Sequence, residues 1–430
     1  VDAEALLLQV ETSQSHIRIA EAARTRLLRD GEELEPTGRV IKEPAFIGLE
    51  AEVEAAQGER ITVEKVVALF TSREPAISEP GLEACKEVAR APGFEELLSE
   101  HLLRWEELWD MCSLEVEGQE LASAVSHLHI FHLLGNISGH TAELDAGVPA
   151  RGLSGEAYRG HVFWDALFVF PFLNLRLPGL TRTLIRYRHR RLKPARWAAA
   201  DGGYKGAMYP WQSGSNGEEE TQEVHLNPKS GRWLADRSHR QRHVNIAIAY
   251  NVWQHYMVTG STAFLRFVGA ELLIEIARFW ASIATYDREQ DRYEIHGVMG
   301  PDEYHEGYPD SEEHGLRNNT YTNVMVVWVL RRALEALEVL PPHYRQELIS
   351  ELTIQGQELD RWREMTRKMK VVFHRDGVLT QFEGYESLRE FDWEGYRERY
   401  GNIARLDRLL EAEGDSTNRY KLAKQADVLM

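Results

Sequence analysis

What most constrains this chain is a change in its hydrophobic period. Up to about residue 75 polar and apolar residues alternate, as in Ser15-His16-Ile17-Arg18-Ile19 and Ile61-Thr62-Val63-Glu64-Lys65-Val66-Val67, with turn signals at Asp30-Gly31 and Gln57-Gly58. Period two between such turns predicts antiparallel strands, too few to close a sandwich by themselves. From about 80 to 112 Leu97, Leu98, His101, Leu102, Trp105, Leu108 and Trp109 recur at three and four, the spacing of an amphipathic helix. Beyond about 120 the spacing predicts helices at 121–137, 162–173, 180–200, 241–258, 263–284, 321–337 and 342–370, with an unfinished one at 420–430.

The fold class that follows is mainly α. Part of an antiparallel β-sandwich (1–78) and a helical linker (79–118) precede a helical toroid (119–430) whose connecting loops build one concave face. Those loops are long and rich in Gly, Trp, Asp, Glu and His, and long ordered loops in compact domains usually carry function. No repeat at 20 to 50 residues is present, which excludes a solenoid. The chain stops inside an apolar run, so it reads as a piece of a longer protein, incomplete at both ends.

Lys plus Arg number 50 and Asp plus Glu 68, a net charge of −18, which repels nucleic acid and anionic lipid. The basic stretch RYRHRRLKPAR at 186–196 continues a helical pattern and reads as a solvated face. Two cysteines, Cys85 and Cys112, are too few for a disulfide framework and fit a cytoplasmic protein. No run approaches the roughly 20 apolar residues of a membrane span, and the start lacks the pattern of a signal peptide.

Four loop segments concentrate sugar-binding chemistry: RGLSGEAYRGHVFWD (151–165), GGYKGAMYPWQSGSNGEEETQE (202–223), GVMGPDEYHE (297–306) with NNTYTN (318–323), and KQAD (424–427). A sugar ring has apolar C–H faces and a belt of hydroxyls, so its site needs flat aromatics beside carboxylates, amides and cations. Phe163, Trp164, Asp165, Tyr209, Trp211, Gln212, Tyr304, Asn319, Lys424 and Gln425 supply that mixture.

Glu303 is the sharpest candidate. Cleaving an acetal takes a carboxylic acid that stays protonated near neutral pH, and Asp302, Glu303 and Glu306 lie close enough in sequence to raise one another's proton affinity. The same turn followed by acids also describes an ordinary acidic surface loop. His296, Glu303, His305 and Glu306 match no metal-ligand spacing, so no metal is expected. The Gly202–Gly206 stretch follows no strand and lacks a Lys-Ser/Thr ending, which disfavours nucleotide binding. His161, His225, His239 and His243 read as proton carriers, phosphate ligands or simply satisfied polar residues, and no G-x-S-x-G nucleophile elbow occurs.

Together these motifs resemble glycoside hydrolase family 65, whose members are mostly inverting disaccharide phosphorylases for maltose, trehalose and kojibiose. The likeness runs from about Gly58 to Met430. It implies an (α/α)6 barrel after a β-sandwich and a helical linker, with Glu303 as the general acid. Phe163, Trp164, Asp165, Lys424 and Gln425 would hold the non-reducing glucose, with Trp211, Gln212, Tyr304 and Asn319 about the same pocket. Many relatives carry Glu where this chain has Gln212. The implied partners are a disaccharide and inorganic phosphate as co-substrate, with no other cofactor, and a homodimer is an arrangement common in the family. In the family the phosphate loop and the hydrolase base both lie beyond the KQAD segment. Phosphorolysis is the favoured reading, inverting hydrolysis of an α-glucoside the alternative, and non-catalytic glucoside binding a third. A toroid acting on an isoprenoid diphosphate would want Asp-rich metal clusters, which are absent. Linkage specificity is expected to lie in 307–317 and 381–393.

Overall fold

β1 (Ala5–Glu11), β2 (Arg18–Arg29), β3 (Glu32–Leu34) and β6 (Ile61–Thr71) form an antiparallel sheet around β2, while β4 (Thr37–Glu43) and β5 (Phe46–Glu52) make a separate ribbon. The structure, a computed structural model, describes residues 5–35, 37–75, 77–141, 144–145, 147–152, 158, 160–309, 311, 314–425 and 427. Asp30 (φ 50°) and Gly31 (φ 97°) turn β2 into β3, the paired left-handed residues of a type I′ hairpin. Alternation along β2 buries Ala20 and Ala22 against Ala84 and Val88 of α1 (Pro80–Arg90). Arg24 on the same face donates to the carbonyls of Val88 (3.1 Å), Ala91 (2.9 Å) and Pro92 (3.1 Å), where the helix end favours a cation. Pro92-Gly93 then separates α1 from α2 (Phe94–Cys112), so the helical stretch at 80–112 is two helices.

The chain divides into two compact units, Val1–Phe131 and His132–Met430, the division falling inside α3 (Glu120–Asn136). The second unit is built from α4 (Ala166–Arg176), α5 (Pro178–Arg190), α6 (Leu192–Asp201), α7 (Val244–Thr259), α8 (Thr262–Phe264), α9 (Ala270–Ile283), α10 (Thr320–Val339), α11 (Pro342–Glu351), α12 (Gly356–Lys368), α13 (Trp393–Tyr400) and α14 (Leu406–Ala412). α7 packs against α4, α5, α9 and α10. Its sequence is apolar nearly all round, as a helix buried on every side requires. Leu173, Ile246, Leu272, Phe279, Trp280, Leu330 and Trp362 belong to one continuous core. The mainly α class with a β-rich start is thus as the sequence leads one to expect.

Several boundaries differ from the sequence reading. The helix at 162–173 begins only at Ala166, because Val162 pairs with Ser213 (N to O 2.9 and 3.0 Å) and keeps Phe163-Trp164-Asp165 outside the helix. The single helix at 180–200 breaks at Arg191, where Pro194 can neither donate to nor pack against the carbonyl of Arg190. Residues 263–284 are interrupted by a π turn at Leu265–Gly269, the mark of an inserted residue. The helix at 342–370 breaks after Glu351, with Thr353 at φ 49°. Tyr420 to Gln425 is not helical. Tyr420 pairs with Arg389, and Leu422 is buried beside Phe391 and Leu406; the rest of that expected helix, except Asp427, lies outside the described residues. α13 and α14 were not anticipated.

Three hairpins carry the loops: β7 (Val224–Leu226) with β8 (Trp233–Ala235), β9 (Thr285–Asp287) with β10 (Arg292–Glu294), and β11 (His296–Val298) with β12 (Leu316–Arg317). The last brackets the segment bearing Glu303. A Cβ on Gly315 (φ 86°) would stand 2.6 Å from Gly297 Cα, so only glycine lets this hairpin close. No helix among the described residues is long and apolar enough to cross a membrane.

Candidate active site

Past β11 the chain turns at Gly300-Pro301 and presents Asp302 and Glu303. Glu303 holds a left-handed backbone (φ 63°), uncommon for a residue with a Cβ and maintained only where the surroundings over-determine it. They do so here. Asp302, 3% exposed, accepts from the Lys424 backbone N–H (2.7 Å) and meets His305 Nδ1 (2.6 Å). Its own N–H donates to Asp427 Oδ1 (2.5 Å). Asp427 Oδ2 accepts from Asn319 Nδ2 (2.6 Å), and a side chain at Gly300 would collide with both.

The resulting corner grips the Glu303 carboxylate from two sides. Lys424 Nζ donates to Oε2, and Gln425 Nε2 donates to Oε1 at 3.1 Å. Behind it, burial pushes the Asp427 carboxyl up to about 7; the neighbouring Asp302 charge adds to the rise and the Asn319 hydrogen bond opposes it.

Facing residues form an aromatic wall. The Trp164 and Trp211 rings lie 6.2 Å apart and both flank His243, at 4.6 and 5.0 Å. Phe163 packs edge-on to Trp211 at 5.7 Å, and its carbonyl accepts from Arg188 Nη2 (3.0 Å). Glu219 holds the Trp211 loop in place by accepting the N–H groups of Trp211 (2.9 Å) and Gln212 (3.1 Å). The Gln212 side chain meets His161 Nδ1 at 2.6 Å. Burial pulls His243 down to about 3, so the ring is neutral and serves as packing rather than as a proton carrier.

Two observations join corner and wall. Asp165, at the start of α4, has its carboxyl raised by burial and further by the charge of Glu303. Tyr321 of α10 stands 6.3 Å from the His243 ring, and its hydroxyl is kept protonated by burial, with the Asp427 charge adding to the effect. Cation, amide, carboxylates and packed rings therefore converge, as polyhydroxylated ligands require.

Of the residues picked from sequence, Glu303, Lys424 and Gln425 are in direct contact, and Asp165 feels the charge of Glu303. Phe163, Trp164 and Trp211 form the wall, with Gln212 at its edge. Asn319 caps α10 by accepting from Thr322 N (3.0 Å) while holding Asp427, so its amide is spent inside the protein. Tyr304 packs with the cluster of Phe391, Leu406 and Leu410. Tyr209 is a core post whose hydroxyl donates to the Arg188 carbonyl (2.8 Å). Positions 153–157 and 159 of the first motif lie outside the described residues. His305, Tyr321 and Asp427 had no assigned role, and Asp302, expected only as a charge beside Glu303, turns its carboxylate to His305 and the Lys424 N–H; the His at i+3 from Asp302 is the one local signal for that pair. Among the described residues no group of three or more His, Cys, Asp or Glu side chains is placed to hold a metal ion; His296 turns to Glu294 (3.1 Å) instead.

Residues 127–430 match the model of the glycosyl hydrolase family 65 central catalytic domain, and residues 2–108 that of the family's N-terminal domain. A Mycobacterium tuberculosis (strain H37Rv) protein named an uncharacterized glycosyl hydrolase is 53% identical over 428 residues, covering 100% of this chain and 32% of the relative. Trehalose 6-phosphate phosphorylase of Lactococcus lactis is 37% identical over 88% of this chain and 48% of its own length. Kojibiose phosphorylase of Halothermothrix orenii is 33% identical over 98% and 54%. The chain thus spans about half the length, or less, of these relatives. A solved structure described as a kojibiose phosphorylase from the human microbiome superimposes with a TM-score of 0.79 at 20% identity, over 99% of this chain and 53% of that one, a likeness of fold.

Proposed function

This chain belongs to glycosyl hydrolase family 65, and on that premise we propose that its protein carries out inverting phosphorolysis of an α-glucosyl disaccharide of the maltose, trehalose or kojibiose type. The observation that carries the reading is the Glu303 corner: a carboxyl on a strained, clamped backbone, near a wall of packed aromatic rings. Relatives named as phosphorylases of kojibiose and of trehalose 6-phosphate support it.

In this mechanism the glucosyl ring lies on Trp164 and Trp211 beside Asp165, and its hydroxyls draw Lys424 and Gln425 off the Glu303 carboxylate, which takes up a proton from the medium as that pairing opens. Glu303 gives its proton to the glycosidic oxygen as the C1–O bond breaks. A phosphate oxygen forms the new bond to C1 from the opposite face, yielding β-glucose 1-phosphate and the free acceptor sugar, and Glu303 is reprotonated from the medium. Phosphate takes the place of the water that an inverting hydrolase would activate with a second carboxylate, so one acid suffices. Asp302, His305 and Asp427 act as positioning residues: they fix the corner without touching the sugar. We place the reaction in the cytoplasm, in keeping with the two free thiols of Cys85 and Cys112.

The test is to incubate the full-length protein with maltose, trehalose, kojibiose and nigerose, with and without phosphate, and follow products by proton NMR. Phosphate-dependent β-glucose 1-phosphate is the expected result and names the linkage. Phosphate-independent β-glucose would replace the reading by hydrolysis, and no turnover would move weight to glucoside binding.

A further inference from the structure

The basic stretch at 186–196 is not a solvated face throughout. Arg190 and Arg191 share Asp145, and Arg196 closes on Glu271 and Glu275. Arg188 differs from these neighbours: it is 6% exposed, and among the described residues it closes no ion pair. Its Nη2 donates to the Phe163 carbonyl, while Nη1 is buried without a partner. The rings of Tyr187 and Tyr209 lie 5.4 and 5.8 Å from the guanidinium carbon, a partial counterweight to its charge. Burial holds the group below its ordinary value, with the two tyrosines and Glu219 opposing. The Glu219 carboxylate is already engaged by the N–H groups of Trp211 and Gln212 and by the Thr221 hydroxyl. A buried cation without its own carboxylate is expensive, and it persists where something compensates it.

Arg188 lines a cavity of about 30 Å³ together with Val148, Phe163, Trp164, Ile248 and Asn251. Asn251, on α7, is also 6% exposed, and its side-chain amide hydrogen-bonds to none of the described residues. A guanidinium and an amide therefore border one small space whose other walls are apolar side chains and the rings of the aromatic wall. Both groups donate, and only the amide oxygen accepts. That excess of donors, one of them charged, suits an anion. A space of this size has room for about two water molecules, so a monatomic anion fits and tetrahedral phosphate does not. Water at the same place would satisfy the donors and leave the charge uncompensated.

We propose that Arg188 and Asn251 form a binding site for a small inorganic monoanion of chloride size, lodged against the rings of the aromatic wall. The ion supplies the counter-charge that no carboxylate gives Arg188. It takes no part in the reaction as nucleophile or leaving group. Because the same guanidinium holds the Phe163 carbonyl, the ion and the wall share one support.

The experiment follows thermal unfolding of the full-length protein in sodium chloride and in sodium gluconate at equal ionic strength. Gluconate is too large for the cavity and controls for screening. Chloride at about a hundred times its Kd should raise Tm by about 5 °C over gluconate. Asn251→Leu keeps the bulk of the side chain and removes the amide, so it should fold in gluconate and lose at least about half of the chloride increment. Arg188→Gln should lose all of it; where that variant does not fold, Asn251→Leu decides. Crystals grown in sodium bromide give a readout that needs no variant, an anomalous peak in contact with both Arg188 Nη1 and the Asn251 amide. Equal Tm in the two salts overturns the proposal. So does a chloride increment that Asn251→Leu retains in full, or a bromide crystal in which the cavity holds water alone. None of these readouts requires turnover, so they stand or fall separately from phosphorolysis.

Discussion

The two sides of the candidate site are made of opposite materials. The corner is a lattice of charge: Asp302, Glu303, Lys424 and Asp427 are held by polar contacts between segments more than a hundred residues apart. The wall is a set of tilted and edge-on rings around a neutral, buried His243. A charged corner is expensive to bury and so can be poised for proton transfer, while a wall of rings offers a rigid apolar face at little electrostatic cost. The contrast assigns chemistry to one side and binding to the other, and each side can be broken separately.

The largest effect is expected at the corner. Glu303→Gln should lower kcat/KM by about 10³-fold, within the range for removing a general acid, while calorimetry shows disaccharide affinity kept within a few-fold. Undiminished turnover in this variant would take the acid away from Glu303.

The next test separates the sides by pH. Asp427 has a folded value raised to about 7 from 3.8, so between those values the folded state holds a proton that the unfolded chain has lost. Its contribution to stability therefore falls as pH rises through that window. His243, lowered to about 3 from 6.5, does the opposite: the unfolded chain holds the extra proton, and stability rises with pH up to about 6.5. Each slope integrates to about 5 kcal/mol at most, and between about pH 4 and 6.5 they oppose each other. Asp427→Asn should leave a stability that climbs across this interval, and His243→Phe one that declines, both read by urea unfolding. Matching slopes in the two variants would show that the sides do not titrate as assigned.

A smaller effect belongs to the wall alone. Trp164→Phe keeps a ring but gives up part of the stacking area, so KM for the disaccharide should rise about tenfold with kcat nearly unchanged, the sign of lost uniform binding. A kcat loss as large as that of Glu303→Gln would mean that the wall also serves the transition state.

Much of this was legible in the sequence because chemistry-bearing residues sit in Gly-flanked loops between long helical runs. FWD, GPDEYHE and KQAD pointed to Glu303, Trp164, Asp165, Lys424 and Gln425 without reference to structure. What the sequence could not convey is which loops meet. The contact between Asp302 and Asp427 spans 125 residues, and nothing local marks Asn319 as a clamp on Asp427 rather than a sugar ligand. Helix continuity was over-read for a related reason. Apolar spacing persists across Pro194 and Thr353, where backbone geometry ends the helix, and Leu422 satisfies its burial from extended chain.

The mildest perturbation sharpens the comparison most, because it imports the corner's chemistry into the wall. Gln212 Nε2 donates to His161 Nδ1 at 2.6 Å, a contact at the edge of the rings. Gln212→Glu removes that donor, so the contact survives only if His161 supplies the proton. Imidazolium supplies it with a charge below neutral pH, and above it the neutral ring supplies it only as its Nδ1–H tautomer, a weaker contact. Exchanging one hydrogen bond for another is worth about 1 kcal/mol, so KM should change by only a few-fold at pH 6 and rise further by pH 8. Wild-type KM should vary less than that of the variant over the same range, since the amide itself does not titrate. A pH-independent KM in the variant would place the His161 contact outside the binding step, leaving the wall's role to Trp164 and Trp211.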